Sequence, residues 1–293
     1  YSSAASDVYK RQMKGRAIVT GADGGMGRCI TEALAKAGYE VVMICIDSAK
    51  AQSCRDEIAR NTANERITIK EANLADMSQV EAVANDILEE GLPIDLLMNN
   101  AGTLSTHFQQ TADGLEQTVA VNYMAPYLLT RKLLPLLHSG SRVVAMVSCT
   151  YAIGKITSSF FTKGKEGAFW RIPIYSNTKL ALWLFIRKLS QLVAEKGILV
   201  NAADPGVVST GIISMDMWFD PLTDIFFRPF IRTPQKGAAT AIHLLLDSIK
   251  ETGGMYASCH PRHLSERYLN HPQMETLWND TETYLRKYCR VTF

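Results

Sequence analysis

Short apolar runs alternate along this chain with longer stretches in which apolar positions recur every three or four residues. Arg16–Thr20 and Val41–Ile46 are apolar runs, separated by a helical pattern from Met26 to Ala37 that stops at Gly38. Ile67–Lys70 and Ile94–Met98 predict two more strands. Between them Val80, Val83, Ala84, Ile87 and Leu88 stripe one face of a helix over Ser78–Glu89, with Ser78 placed to cap it. Arg142–Ser148 and Ile198–Asp204 predict further strands, preceded by helical patterns over roughly Gly114–Leu137 and Ile174–Glu195. A last run, Met255–Ala257, completes a sheet of about seven strands. Strands this uniformly apolar, alternating with helices, predict an α/β fold: a doubly wound parallel sheet with helices on both faces.

The regularity lapses only over Tyr151–Arg171 and Ser209–Pro234, two long connections of the kind that shape a site on such a scaffold. No linker, repeat or low-complexity block divides the chain, so residues 13–293 are expected to form one domain with a substrate loop at about 209–234. Residues 1–12 are small and polar, without the apolar centre of a signal peptide, and Met13 precedes the first strand; the leader reads as non-native or disordered.

Composition narrows the picture. Of the 293 residues 47% are hydrophobic and 20% charged, enough apolar surface for a core that needs no disulfide or metal. A formal net charge of +2, with cations dispersed among anions, excludes the basic stripe of a nucleic-acid binder. The six cysteines form no CxxC pair and read as reduced thiols of a cytoplasmic protein. His260 and His263 are separated by Pro261 and lack an acidic or thiolate neighbour, so no metal site is expected there. No apolar stretch reaches the ~20 residues that cross a bilayer.

The most informative segment follows the first strand: Thr20-Gly21-Ala22-Asp23-Gly24-Gly25-Met26-Gly27, running straight into a helix. Glycines allow a tight turn and close approach to a pyrophosphate, and the helix N-terminus aims free N–H groups at the anion. Gly21, Asp23, Gly25, Met26 and Gly27 are therefore candidate dinucleotide ligands. Asn99-Asn100-Ala101-Gly102 ends the fourth strand, on the side where open parallel sheets bind ligands, which adds Asn100, Ala101 and Gly102. A Tyr-x-x-x-Lys pattern occurs twice, at Tyr151/Lys155 and Tyr175/Lys179. Tyr151 precedes Gly154 in loop-like sequence, whereas Tyr175 and Lys179 stand one turn apart near the start of a long helix, where the ammonium is expected to lower the phenol pKa.

The spacing TGxxxGxG, the NNAG segment and Tyr175-x-x-x-Lys179, in this order, resemble the classical short-chain dehydrogenase/reductase family, and the resemblance covers residues from about 15 to 260. It implies a Rossmann-type fold and hydride transfer between a nicotinamide and a carbonyl or alcohol carbon. It also implies roles. Tyr175 is the acid or base, and Lys179 supports it and binds the ribose. Ser148 polarises the substrate oxygen, and Asn122 holds a water that relays protons to the lysine. Asp204-Pro205-Gly206 resembles the family's segment beside the nicotinamide, so Pro205, Gly206, Val208 and Thr210 are further cofactor candidates.

Departures from the family pattern bear on specificity. The end of the second strand reads Cys45-Ile46-Asp47, offering neither the acid that binds NAD ribose nor the arginine that pairs with the NADP phosphate. Arg28 and Lys50 are the nearby cations, and the balance leans slightly to NADP over NAD. Asn73, followed by Leu74, stands where the family carries an adenine-binding aspartate; its amide still presents a carbonyl. The long gap from Ser148 to Tyr175, Pro234 with Gly237-Ala238, and Leu277-Trp278 resemble the retinol-dehydrogenase-like branch. Met215–Ile231 carries Trp218, Phe219, Phe226, Phe227 and Phe230. These read as a flap over a lipophilic substrate such as a retinoid, steroid or fatty aldehyde, as core or dimer packing, or as a shallow membrane contact. The resemblance further implies a homodimer or homotetramer built on the helices near 114–137 and 174–195. Two rival functions stand beside the enzyme: a nicotinamide-binding redox sensor or scaffold, and an epimerase or dehydratase.

Overall fold

The computed structural model describes residues 14–157, 160–161, 169–206 and 233–288. Val208, Thr210, the aromatic segment Met215–Ile231 and the leader lie outside the described residues. The first half alternates strictly: β1 Arg16–Thr20, α1 Gly25–Lys36, β2 Glu40–Cys45, α2 Ser48–Thr62, β3 Ile67–Glu71, α3 Met77–Glu90, β4 Ile94–Asn99. The second half runs through α4 Gln117–Val119, α5 Ala125–Leu133, β5 Leu137–Met146, α6 Arg171–Leu192, β6 Leu199–Asp204, α7 Pro234–Leu246 and β7 Met255–Ala257. It ends with β8 His260–Pro261, α8 Glu266–Leu269 and α9 Met274–Tyr284.

The strands form one sheet in the order β3-β2-β1-β4-β5-β6-β7-β8. All neighbours are parallel except β7 and β8, an antiparallel hairpin that hydrophobic patterning missed because β8 is two exposed residues. Chain order reverses between β1 and β4, so their carboxyl ends diverge into a crevice.

Two apolar layers cover the sheet. Ile30, Leu34, Ile58 and Leu244, from α1, α2 and α7, pack on one face. Val80, Ile87, Tyr127, Trp183 and Phe185, from α3, α5 and α6, pack on the other. Local chemistry sets the helix boundaries. Asp47 and Asp76, rather than Ser78, cap α2 and α3: their carboxylates accept from Lys50 N and Ser78 N, and Asp76 also takes the Ser78 hydroxyl at 2.6 Å. An ionised carboxylate outcompetes a hydroxyl for these N–H groups.

The helix expected over 114–137 is interrupted. A π turn at Ala120–Met124 joins α4 to α5, and a 3-10 turn at Leu134–Leu136 leads into β5. A second 3-10 turn, Cys149–Ile153, follows β5, and the Ser148 side chain caps it, accepting from Thr150 N.

Helix α9 lies across α5 and α6 of the same chain. Trp278 stands 5.1 Å from Tyr127 and 6.0 Å from Phe185, ring centre to ring centre, with the Arg131 guanidinium 5.5 Å from its own ring. Glu282 accepts from Tyr127 at 2.6 Å and from Arg131 at 2.7 Å. The side chains Tyr127, Arg131 and Phe185 on the two helices expected at a subunit interface are thus engaged within one protomer. Trp278→Ala should destabilise the fold by about 3–5 kcal/mol, the usual cost of deleting a large buried aromatic; urea unfolding of the two proteins measures it.

Candidate active site

The crevice is held open by side chains that finish what the strand ends leave undone. Thr20 Oγ1, at the end of β1, accepts from Asn100 N and Ala101 N, both at 3.0 Å. In return Asn100 Nδ2 donates to Thr20 O at 3.0 Å and Gly21 O at 3.2 Å. Gly21 adopts a φ of +58°, which turns the chain toward α1. Gly27 lies against that turn so closely that a Cβ there would sit 1.9 Å from Gly21 O.

The resulting cleft has a volume of about 390 Å³. Of the expected ligands Gly21, Asp23, Gly25, Met26, Gly27, Ile46, Asn73, Leu74, Asn100, Ala101 and Gly102 line it. Helix α1 opens onto it with no side chain capping its first N–H groups. Asn100 Oδ1 is buried beside it without a protein partner. A glycine floor, uncapped helix N–H groups and an orphaned acceptor fit an elongated anionic ligand with its own donors, as a dinucleotide is.

Behind Gly102, which lines the cleft, a second cluster assembles. Lys179 is buried on α6 and donates from Nζ to Met146 O at 2.9 Å; its Nζ stands 5.5 Å from the centre of the Tyr175 ring. The Ser148 hydroxyl hydrogen-bonds the Tyr175 phenol. Asn122 sits in the π turn, whose wider backbone turns the side chain inward. There it clamps Thr103, accepting from its N at 2.7 Å and donating to its O at 2.9 Å, and it donates to Thr178 Oγ1 at 3.2 Å. Gly102 runs between the two groups: a Cβ on it would lie 3.4 Å from Asn122 Oδ1 and 3.5 Å from Lys179 Nζ. Helix periodicity could not have revealed this, because a π turn leaves no separate signature in hydrophobic spacing.

The electrostatics differ from the sequence expectation. Burial pushes the Tyr175 phenol up to about 12; the Ser148 hydrogen bond opposes this, and Cys149 and Asp204 add to it. Burial also draws Lys179 down to about 8, against the pull of the Asp204 carboxylate. The phenol is therefore raised, not lowered as expected beside a lysine, and desolvation is the largest cause.

The other Tyr-x-x-x-Lys pair is built differently, with Tyr151 in the 3-10 turn after β5 and Lys155 in the loop beyond it. Tyr151 is buried edge-on to Tyr268, 5.1 Å between ring centres, and the Lys155 backbone N–H donates to Asn177 Oδ1 at 2.7 Å.

Other expected residues have different surroundings. Cys45 is buried beneath the cleft beside Asp23, and burial lifts its thiol to about 12. Asp47 is spent capping α2. Arg28 pairs with Glu57. Asn73 Oδ1 accepts from Ala75 N at 3.0 Å, an Asx turn that holds the loop after β3. Pro205 and Gly206 follow β6, where Gly206 N donates to Asp204 Oδ1 at 3.0 Å. Sequence reasoning did not single out Thr20 as a ligand-loop support, or Thr103, Gln117 and Val121 in the cleft wall.

Comparison with known proteins decides the family. The family model described as short chain dehydrogenase matches residues 15–216. The chain belongs to this family. Among curated relatives of this short-chain dehydrogenase, retinol dehydrogenase 12 of Homo sapiens is 33% identical over 273 residues, covering 92% of the chain and 85% of the relative. Polyprenol dehydrogenase of Mus musculus is 32% identical over 250 residues, covering 82% and 74%. These relatives place the chain in the retinol-dehydrogenase-like branch. A solved short chain dehydrogenase from Burkholderia cenocepacia, in complex with NADP, superposes with a TM-score of 0.68 at 23% identity, covering 84% of this chain and 97% of that one. The protein is an NAD(P)-dependent short-chain dehydrogenase/reductase, and among its described residues no helix is long and apolar enough to cross a membrane.

Gly27→Ala in this dehydrogenase should cost about 1–3 kcal/mol through overpacking against Gly21. Gly24→Ala, whose new Cβ would meet Gly21 O at an ordinary 3.6 Å, should be nearly neutral; thermal melts compare the two. A second expectation concerns pH. A lysine in the unfolded chain keeps its proton to 10.5, whereas folded Lys179 loses it near 8, so between these values the unfolded state binds the extra proton and stability rises with pH. Lys179→Met should flatten that rise when urea midpoints are compared at about pH 8 and about pH 10.

Proposed function

We propose that this protein reduces a carbonyl or oxidises the corresponding alcohol of a lipophilic substrate, with Tyr175 as the acid or base. The observation that carries the reading is the convergence of Tyr175, Ser148 and Lys179 beside Gly102, a lining residue of the glycine-rich cleft. A nicotinamide cofactor bound in that cleft supplies or accepts the hydride. Gly21, Gly25 and Gly27 would give its phosphates close backbone approach, while Asn100, Ala101 and Gly102, just past β4, would flank it.

The chain's own groups handle the proton. Tyr175 donates to the carbonyl oxygen, or takes the alcohol proton in the reverse direction. Ser148 holds that oxygen within reach and stabilises the phenolate through its hydroxyl. Lys179 places a positive charge beside the phenolate as it forms. Asn122 fixes Thr103 and, through it, the path of Gly102 past the lysine.

NADP is the favoured cofactor. The end of β2 carries Cys45 where an NAD-binding acid would stand, and the next carboxylate, Asp47, caps α2 by accepting from Lys50 N. The Burkholderia enzyme was solved in complex with NADP. Lipophilic substrates are favoured by the similarity to a retinol dehydrogenase and a polyprenol dehydrogenase. They are also favoured by apolar side chains exposed near Tyr175: Trp170 is 72% exposed, Ile153 65% and Ile172 46%.

The test is titration with NADPH and NADH, followed by turnover on a panel of retinoid, steroid and long-chain alcohols and aldehydes. Tyr175→Phe should keep nucleotide affinity within about twofold and lower turnover by about 10²–10⁴, the contribution of a positioned general acid. Nucleotide binding with no turnover by the wild type, unchanged in the variant, would favour the sensor reading instead.

A further inference from the structure

Beyond the proton-transfer cluster, one ion pair joins a buried carboxylate, Asp204, to the more exposed Arg262. Asp204 ends β6 and is 2% exposed. Its Oδ1 accepts from Gly206 N at 3.0 Å, and its Oδ2 meets Arg262 Nη1 at 2.9 Å. Arg262 arrives from the β7–β8 hairpin. Strand β7 pairs with β6 so that Asp204 lies opposite Ala257, and the hairpin then brings the chain back until Arg262 N donates to Met255 O at 2.8 Å. The hairpin turns through Ser258 and Cys259 at φ of +51° and +62°, consecutive left-handed positions normally given to Asn-Gly. Their Cβ atoms make that conformation unfavourable, and it persists where surrounding contacts over-determine it. Cys259 N donating to Thr240 Oγ1 at 3.3 Å and the Arg262–Asp204 pair are two such contacts.

We propose that Asp204 and Arg262 are a positioning pair for the proton-transfer groups: Arg262 fixes the Asp204 carboxylate and mutes its field at Tyr175 and Lys179. The proposal rests on the assignment of those two residues as the proton-transfer pair. The charged and titratable groups around them come from each packed element: Cys149 and Tyr151 from the turn after β5, Asp204 from β6, and Arg262 from the hairpin. Lys179 Nζ bonds Met146 O at 2.9 Å, and Met146 lies opposite Ala203, the neighbour of Asp204, across β5 and β6. From there the Asp204 carboxylate favours the protonated form of both Tyr175 and Lys179. At Tyr151 the opposition is explicit, with Arg262 favouring the phenolate and Asp204 disfavouring it. Asp204 also holds Gly206, whose φ of +74° sets the backbone's departure from the sheet. One ion pair therefore links the backbone turn at Gly206 to the charge felt at the cluster. A longer, partly exposed arginine suits this task, because its fixed fork holds a carboxylate in one orientation.

The test reads Lys179 directly, in protein without nucleotide or substrate. With ¹³Cε-labelled lysine, and Lys179 assigned through Lys179→Arg, an NMR pH titration gives its midpoint. Asp204→Asn should lower that midpoint and Arg262→Met should raise it, each by about 0.5–1 unit, less than an opposite charge in direct contact produces. The double variant should follow Asp204→Asn, because Arg262 acts through the carboxylate, and Arg262→Lys should stay near wild type. Midpoints that do not move, or that move together in one direction, would show the pair to be a structural clamp only. If Asp204→Asn fails to fold, the contrast between Arg262→Met and Arg262→Lys decides alone. The pH profile of kcat/KM for alcohol oxidation should move the same way as the midpoints. Shifted midpoints in a protein that turns over nothing on the panel would leave the electrostatic link standing and count against the dehydrogenase reading.

Discussion

The carboxyl ends of β1 and β4 are joined by a reciprocal lock, and the site depends on it. Strands in a parallel sheet finish with unpaired N–H and C=O groups, and at a point of reversed strand order no neighbouring strand is available to pair them. Thr20 and Asn100 solve this with side chains, the hydroxyl accepting two backbone N–H groups and the amide returning two bonds to carbonyls. With these groups satisfied, the turn at Gly21 holds a left-handed conformation and Gly27 closes against it. The crevice is thereby fixed by polar bonds that need no apolar packing, which leaves its walls free to face a ligand.

The second half of the site is organised on a different principle. Its groups are buried, so their protonation is governed first by desolvation and only then by neighbours. Tyr175 and Lys179 move in opposite directions from their ordinary values, the phenol up and the ammonium down. Both shifts favour the neutral form, as a dry environment must. The gap between phenol and ammonium is wide in the protein alone. The Ser148 hydroxyl narrows it by stabilising phenolate, and the Asp204 carboxylate acts against phenolate while favouring the ammonium.

Much of this was legible in the chain. Apolar runs gave β1 to β7 within a few residues, because strands buried on both faces have no other way to read. The glycine loop and NNAG were legible because each occupies the end of a strand whose position in the sheet follows from its order. That Tyr175 and Lys179 share a helix while Tyr151 and Lys155 do not was legible from the local pattern. The rest was hidden for physical reasons. The π turn around Asn122 depends on Thr103, distant in sequence, which accepts and donates to its amide. Two-residue β8 carries no periodicity, so the hairpin that delivers Arg262 to Asp204 left no trace in the pattern. Cys45 was placed near a ligand by its position at a strand end, but strand side chains alternate between faces, and its own points into the core.

Helix α9 carries a consequence for how the chain is made. Leu277, Trp278 and Leu285 belong to the same apolar cluster as Val80, Tyr127 and Phe185. A nascent chain can therefore pair its strands in order and still expose Tyr127 and Phe185 until synthesis has passed residue 285. During that interval the unfinished surface is a target for chaperones, and a message truncated ahead of Met274 yields a sheet with its strands in place and one layer permanently unsealed.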